Sequence, residues 1–137
     1  MESRFHLSLP CSSVETTKKF YVNTLGAKAG RSAQNWVDIN LAGHQITFTR
    51  AGKFNFNNPN YVFEGKILPS FHYGVIVSEE DFKKIYQKLK DQDLELVTKA
   101  TFLEDKTGEH KSFFIQDPND YMIEFKCFKQ KDGVFRS

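Results

Sequence analysis

The chain has few cysteines, no long apolar segment and no marked excess of either charge. Its 137 residues include two cysteines, Cys11 and Cys127, whose spacing matches no zinc motif. We therefore expect two reduced thiols in a cytoplasmic protein, where disulfides are rare. No apolar run approaches the ~18 residues of a membrane span. The N-terminus also lacks the apolar segment of a signal peptide.

The charge pattern narrows the class of partner. The formal net charge is +2, and the acidic and basic residues are interspersed. Without a basic stripe, neither nucleic acid nor a membrane surface is an expected partner, which leaves a small molecule. The chain is rich in aromatic residues, with 14 phenylalanines. A chain of this size can therefore bury the core of a single domain, which we assign to residues 1–137.

Hydrophobic periodicity predicts the same series of elements twice. In the first half, residues 4–10 alternate with period two, a capping-box sequence begins at Ser12, and Gly26 ends the predicted helix. Further strands are predicted over residues 27–31, 35–41 and 45–49. In the second half the pattern predicts a strand over 71–77, a helix beginning at Ser78, and strands over 94–98, 111–116 and 121–128.

An internal repeat supports this reading. An offset of 66 residues pairs Phe5 with Phe71, His6 with His72, Ser12 with Ser78, Glu15 with Asp81, and Phe20 with Tyr86. The sequence therefore predicts a first module over 4–50 and a second over 71–128. Residues 51–70, rich in Asn and Gly, are predicted to form a connecting loop. Its aromatic residues either close over a ligand or anchor the loop.

Strand alternation gathers metal-capable side chains on one face of the predicted sheet. His6, His72 and Glu124 all lie in the polar phase of their strands. Two imidazoles and one carboxylate form a known ligand set for a divalent metal with open positions. Each residue alone has a plainer explanation, as a structural histidine or a solvated carboxylate. The matching positions of the two histidines in a repeat favour the metal site.

Four motifs give the chain a resemblance to a known family. They are Phe5 to Pro10, Phe20-Tyr21 with Leu25-Gly26, Phe71 to Gly74, and Asp117-Pro118 ahead of Ile123-Glu124-Phe125. Over residues 4–128 the chain resembles the vicinal oxygen chelate superfamily, which includes glyoxalase I, extradiol dioxygenases, and fosfomycin and bleomycin resistance proteins. The resemblance implies an α+β fold. In it, two paired βαβββ modules form a curved mixed sheet with helices on the convex face.

The same resemblance implies a metal centre. His6, His72 and Glu124 would hold a divalent ion, with Fe(II) favoured and Mn, Ni or Zn as alternatives. Glyoxalase I members have a fourth carboxylate ligand, and Thr47 stands at its expected place here. This favours a three-ligand site. Family members of this length commonly build each site from two chains, so we expect a homodimer. The family's Asp-Pro-x-Gly turn ends in Asp120, which tolerates a left-handed backbone.

Other polar residues are candidates for contact with substrate. His110 is the candidate catalytic acid or base, and its plainer reading is an exposed histidine after a turn. The candidate substrate-binding residues are Ser8, Trp36, Gln45, Thr47 and Ser112. Lys126 shares the phase of Glu124 and is expected to reach solvent at the rim.

The predicted function is a metal-dependent enzyme that binds vicinal oxygens of a small molecule, most simply as an extradiol-type dioxygenase. One alternative is a metal-dependent lyase, isomerase or thiol transferase of the glyoxalase or fosfomycin-resistance type. Another is a non-catalytic protein that sequesters a small molecule, as bleomycin resistance proteins do.

Overall fold

The computed structural model describes residues 1–136 and contains ten strands, two α-helices and two short helical turns. The strands are β1 (His6–Cys11), β2 (Lys28–Ala33), β3 (Trp36–Leu41), β4 (His44–Arg50), β5 (Asn60–Phe63), β6 (Lys66–Pro69), β7 (His72–Ile76), β8 (Thr98–Phe102), β9 (His110–Gln116) and β10 (Met122–Phe128). The helices are α1 (Val14–Lys19) and α2 (Glu79–Asp91), with a π-helical turn over Phe20–Thr24 and a 3-10 turn over Lys131–Val134. Across residues 1–136, no helix is long and apolar enough to cross a membrane.

The predicted α+β class with two βαβββ modules is confirmed. The chain divides into two compact units, Met1–Phe56 with Asp117–Asn119, and Asn57–Gln116 with the residues from Asp120 onward. We call them the first and second modules. Their sheets have the same design, with orders β1-β4-β3-β2 and β7-β10-β9-β8. In each four-stranded sheet, the strands that come first and last along the chain pair in parallel, and the other pairs are antiparallel.

In the first module the apolar strand face packs against α1 and the turn that follows it. Val37 and Ile39 of β3 and Phe48 of β4 are fully buried, as the alternation predicts. The ring of Tyr21, from the π-helical turn, lies 4.9 Å from that of Phe48. Burial of these large side chains is the main source of this module's stability.

The second module buries a phenylalanine cluster between its sheet and α2. The ring of Phe113 lies 5.1 Å from that of Phe82 on α2 and 5.3 Å from that of Phe125 on β10. Leu89 of α2 and Ile123 of β10 are fully buried beside them. The helix begins at Ser78, as predicted, and the Ser78 side chain accepts a hydrogen bond from the Asp81 N–H.

The predicted start of α1 is wrong by one residue. Its N-cap is Ser13, whose hydroxyl accepts the N–H of Thr16 at 3.1 Å. The Ser12 N–H instead donates to the Asn119 side chain, because β1 continues to Cys11 before the chain turns. The predicted stop is correct, since Gly26 adopts a left-handed φ of 77°.

Two larger differences from the sequence-based prediction concern β8 and the connecting loop, whereas the other strand ends differ by two residues or fewer. The strand predicted over 94–98 is β8, over 98–102, because α2 ends at Asp91, Asp93 adopts a positive φ of 55°, and the residues that follow return the chain to the sheet. The predicted loop over 51–70 contains the β5–β6 hairpin. Its tip, Glu64-Gly65, has φ values of 50° and 75°, which suit a two-residue hairpin turn.

Candidate metal-binding and substrate site

A histidine–carboxylate pair forms the centre of the second module's polar face. His72 on β7 and Glu124 on β10 belong to adjacent parallel strands, and the imidazole Nε2 lies 3.2 Å from the carboxylate Oε2. Gly74 lies directly across from Glu124. A Cβ at Gly74 would overlap the Glu124 backbone carbonyl, so only glycine lets β7 come this close to β10.

Both members of the pair are held by further contacts. His72 Nδ1–H donates to the Pro69 carbonyl at 3.0 Å, and the Ser112 hydroxyl donates to Glu124 Oε1 at 2.7 Å. The Lys126 ammonium lies 3.7 Å from Glu124 Oε2, while 30% of the Lys126 side chain remains exposed to solvent. In metal sites, a hydrogen bond to the histidine nitrogen or carboxylate oxygen that does not bind the metal fixes the orientation of the side chain.

These contacts change the pKa values of both His72 and Glu124. The hydrogen bond to Glu124 raises the pKa of His72, and it outweighs the opposing effect of burial. Burial alone would raise the pKa of Glu124. Hydrogen bonds from His72 and Ser112, together with the Lys126 charge, outweigh burial and lower that pKa below its ordinary value. In the absence of metal the pair therefore favours an imidazolium beside a carboxylate.

The pair lines a cavity of about 190 Å³, and several of the other lining side chains are aromatic. Besides His72 and Glu124, the lining residues are Tyr61, Phe63, Leu68, Phe102, His110, Phe114 and Lys126. The hairpin supplies three of them, and its Leu68 is buried against Phe102 and Phe114. The hairpin is therefore anchored to the sheet and also forms one wall of the cavity.

His110, the candidate acid or base, lies on this cavity wall. Its Nδ1–H donates to the Gly108 carbonyl at 2.8 Å, which leaves the Nε2 lone pair available as an acceptor. Its ring is held between those of Phe102 and Phe128, at 5.5 and 4.9 Å. The structure thus gathers His72, Glu124, Ser112 and His110 in one module.

The residues of the pair suit a divalent metal. Imidazole nitrogen is a borderline donor that suits Fe, Ni or Zn, and carboxylate oxygen is a harder donor that suits Mn. Among residues 1–136, no three His, Cys, Asp or Glu side chains form a group that could hold a metal ion. The third predicted ligand, His6, belongs to the first module, where it is exposed and lies across from Gln45. The three-ligand set therefore stays a prediction.

The first module carries a different polar cluster. Asp38 is 4% exposed and accepts hydrogen bonds from Thr47 at 2.7 Å, Gln45 at 3.1 Å and Arg31 at 3.1 Å. Burial alone would raise the pKa of Asp38, but these three donors outweigh it and lower the pKa. The guanidinium of Arg31 also lies 5.6 Å from the Trp36 ring. Three predicted substrate-binding residues are thus part of this cluster or next to it, and Ser8 lies exposed across from Thr47.

Sequence reasoning missed the roles of Asp38 and Lys126. Both lie in the polar phase of their strands, Asp38 with Trp36 and Lys126 with Glu124, and this phase was the available signal. Asp38 is the stronger of the two signals, because it lies between the apolar Val37 and Ile39 and a buried carboxylate needs partners.

Comparison with known proteins places the chain in a family. A family model described as Glyoxalase/Bleomycin resistance protein/Dioxygenase superfamily matches residues 4–125. The chain belongs to this superfamily, which is the vicinal oxygen chelate type of protein that the sequence motifs resemble. Comparison with curated proteins gives no significant match.

Solved structures share the fold at low identity. A glyoxalase/bleomycin resistance protein/dioxygenase from Alicyclobacillus acidocaldarius is similar with a TM-score of 0.82 and 21% identity, over 97% of this chain and 96% of that one. The fosfomycin resistance protein FosX from Listeria monocytogenes is similar with a TM-score of 0.72 and 14% identity, over 100% and 99% of the two chains. At these identities the likeness concerns the fold.

Proposed function

We propose that the protein is a metal-dependent enzyme that binds two neighbouring oxygens of a small aromatic molecule, with chemistry of the extradiol dioxygenase type. The observation that carries this proposal is the His72–Glu124 pair, oriented by Pro69 and Ser112 at an aromatic-walled cavity. Tyr61, Phe63 and Phe114 offer ring faces and edges to a planar substrate.

In this proposal His72 Nε2, Glu124 and His6 hold the ion. A bound divalent metal would act as a Lewis acid and as a template for substrate oxygens. His72 must give up its Nε2 proton for this, since a ligating imidazole nitrogen is unprotonated. Ser112 keeps Glu124 oriented. His110 Nε2 is available to accept a proton from a substrate hydroxyl, while its Nδ1–H stays bonded to Gly108.

The test starts from protein purified without oxygen and loaded with Fe(II), Mn, Ni or Zn. We expect one metal per chain in the wild type, and its loss in Glu124→Gln and His72→Ala. Glu80→Gln is the matched control, because Glu80 is an exposed helix carboxylate paired with Lys84. Unchanged metal content and ligand binding in His72→Ala would contradict the proposal.

Substrate assays separate the reaction types. Oxygen uptake with catechols that depends on Fe(II) would support the dioxygenase. Thiol-adduct formation from methylglyoxal or an epoxide, without oxygen uptake, would support the lyase or transferase alternative. The structural similarity to FosX is the observation that keeps this alternative. We expect the metal-loaded protein to be a homodimer by light scattering. A monomer that holds one tight metal per chain would exclude a site shared between two chains.

A further inference from the structure

The first module contains a second cavity, of about 410 Å³, at the end of its sheet where β4 begins. It is lined by Arg4, Gly30, Arg31, Asp38, Ile39, Asn40, Gly43, His44 and Gln45. None of these residues contributes to the His72–Glu124 cavity. The two cavities are therefore formed by separate sets of side chains.

Two of its neutral side chains, His44 and Asn40, present hydrogen-bond donors, whereas the Nε2 of Gln45 is used on Asp38. The His44 Nδ1 accepts the Phe5 N–H at 3.1 Å, so the ring hydrogen of the neutral imidazole is on Nε2. The Asn40 side-chain oxygen accepts the Gly43 N–H at 2.8 Å, which leaves the amide NH₂ as a donor. In both residues the acceptor atom is already used, by the turn between β3 and β4 in Asn40 and by the distant Phe5 backbone in His44. The N–H groups of these two side chains are therefore left to bind a ligand.

Its charged side chains add to this excess of donors. Among the described residues that line the cavity, Asp38 is the single acid, and Thr47, Gln45 and Arg31 already donate to its oxygens. Only Nε of Arg31 is used in that contact, so the terminal NH₂ groups are left for a ligand. Arg4 contributes a second guanidinium. Two arginines against one satisfied carboxylate leave the cavity net positive.

Arg31 is also held in place. Its guanidinium is bound to Asp38 on one side and lies 5.6 Å from the Trp36 ring, although the side chain is 78% exposed. An oriented guanidinium loses less side-chain entropy on binding and matches the geometry of two oxyanion oxygens. This arrangement distinguishes it from an ordinary surface arginine.

We propose that this cavity is a binding site for a small oxyanion, a carboxylate or phosphate group. Arg31 and Arg4 provide the charge, and Asn40 and His44 provide neutral donors. Gln45, which lines the cavity, lies across from His6 in the sheet, so the site borders the first module's proposed metal ligand. The anion site itself needs no metal and stands independently of the proposed function.

The experiment is a titration of the full-length protein with inorganic phosphate and with acetate, each at constant ionic strength. It is read by calorimetry and by the NMR signal of the Arg31 Nε–H, with and without a chelator. We expect saturable binding that the chelator does not change, and the tighter of the two anions identifies the preferred group. Arg31→Gln should weaken it by about tenfold or more, because a charge-assisted hydrogen bond is lost. Arg136→Gln is the control, since Arg136 pairs with Asp132 on the C-terminal turn.

Arg31→Gln removes a hydrogen-bond donor from Asp38, so a second variant is used to separate a loss of anion binding from a folding defect. Arg4→Gln leaves all three donors to Asp38 in place, and we expect it to weaken phosphate or acetate binding several-fold. Urea unfolding checks that each variant is folded. The proposal is overturned if the wild type shows no saturable binding of either anion. It is also overturned if both variants bind as tightly as the wild type.

Discussion

The two modules place different side chains at one equivalent position beside their histidines. In the second module Glu124 lies across from Gly74, two residues along β7 from His72. In the first module Thr47 lies across from Ser8, two residues along β1 from His6. Equivalent sheet registers therefore give His72 a carboxylate partner and give His6 a neighbouring hydroxyl.

The first module also has a buried carboxylate, but it lies one strand further from the histidine than Glu124 does in the second module. Asp38 lies across from Thr47, at the position that Phe114 occupies across from Glu124. The Asp38 oxygens are taken by three neighbouring donors, whereas Phe114 places its ring edge-to-face with that of His72. One carboxylate is thus part of a structural network, and the other lies next to a histidine, where we propose that a metal binds.

The largest effect is expected at the closest strand contact. Gly74→Ala would force β7 away from β10, because its Cβ would overlap the Glu124 carbonyl. We expect a loss of roughly 3 kcal/mol or more in the free energy of unfolding, at the upper end for overpacking. Urea denaturation measures it. Ser8→Ala, at the equivalent place in the first module, should change stability by less than ~0.5 kcal/mol, and equal losses in the two variants would remove the proposed asymmetry.

The next effect tests the structural role of Asp38. Asp38→Ala leaves the Arg31, Gln45 and Thr47 donors without their shared acceptor, and we expect it to cost about 2 kcal/mol or more of stability. Asp132→Ala removes an exposed carboxylate paired with Arg136 and should cost less than ~1 kcal/mol. Metal content should stay the same in both variants. A loss of metal in Asp38→Ala alone would mean that Asp38 belongs to the metal site.

A pair of hydroxyl deletions compares the two carboxylates directly. Ser112→Ala and Thr47→Val each remove one hydroxyl hydrogen bond to a buried carboxylate, 2.7 Å long in both modules. Each should cost about 1 kcal/mol of stability. Only Ser112→Ala should also weaken metal binding, by about tenfold or more, since second contacts orient ligands. Metal titration of the two variants gives the answer, and equal affinities would count against Glu124 as a ligand.

The smallest effect is a pH dependence from Asp38. Its folded pKa lies below the ordinary value of 3.8, so its contribution to stability is complete above that value and decreases as the pH falls through the folded pKa. Asp38→Asn should therefore be less stable than the wild type at neutral pH. The difference should shrink below about pH 3.8. Urea midpoints over this range measure it, and a constant difference would show that Asp38 does not titrate in this way.

The sequence predicted the parts of the site that depend on strand alternation. His72, Ser112 and Glu124 lie on one sheet face because successive strand residues point to opposite sides. The left-handed Asp120, with φ of 68°, is the conformation expected for the Asp117–Asp120 turn. His6 as a ligand, the dimer and the metal identity stay predictions.

Sequence patterns could not give the contacts that depend on strand pairing. Arg31 reaches Asp38 from a stretch of β2 where the pairing with β3 shifts register between Ala29 and Ser32, and a bulge of this kind leaves little trace in periodicity. The hairpin over 60–69 lies in a segment rich in Asn and Gly, which the sequence pattern predicted to be a loop. Its strands are short, and its Leu68 is fixed by burial against Phe102 and Phe114 rather than by a strong local pattern.

The sequence by itself determined the repeat, the α+β class and which strand faces are polar, because these follow from local periodicity and from residues at matching offsets. Only the tertiary structure decided which carboxylate meets a histidine. That choice depends on strand order and register, which set Glu124 beside His72 and Asp38 beside Arg31. It depends also on Gly74, whose missing side chain lets the two strands approach.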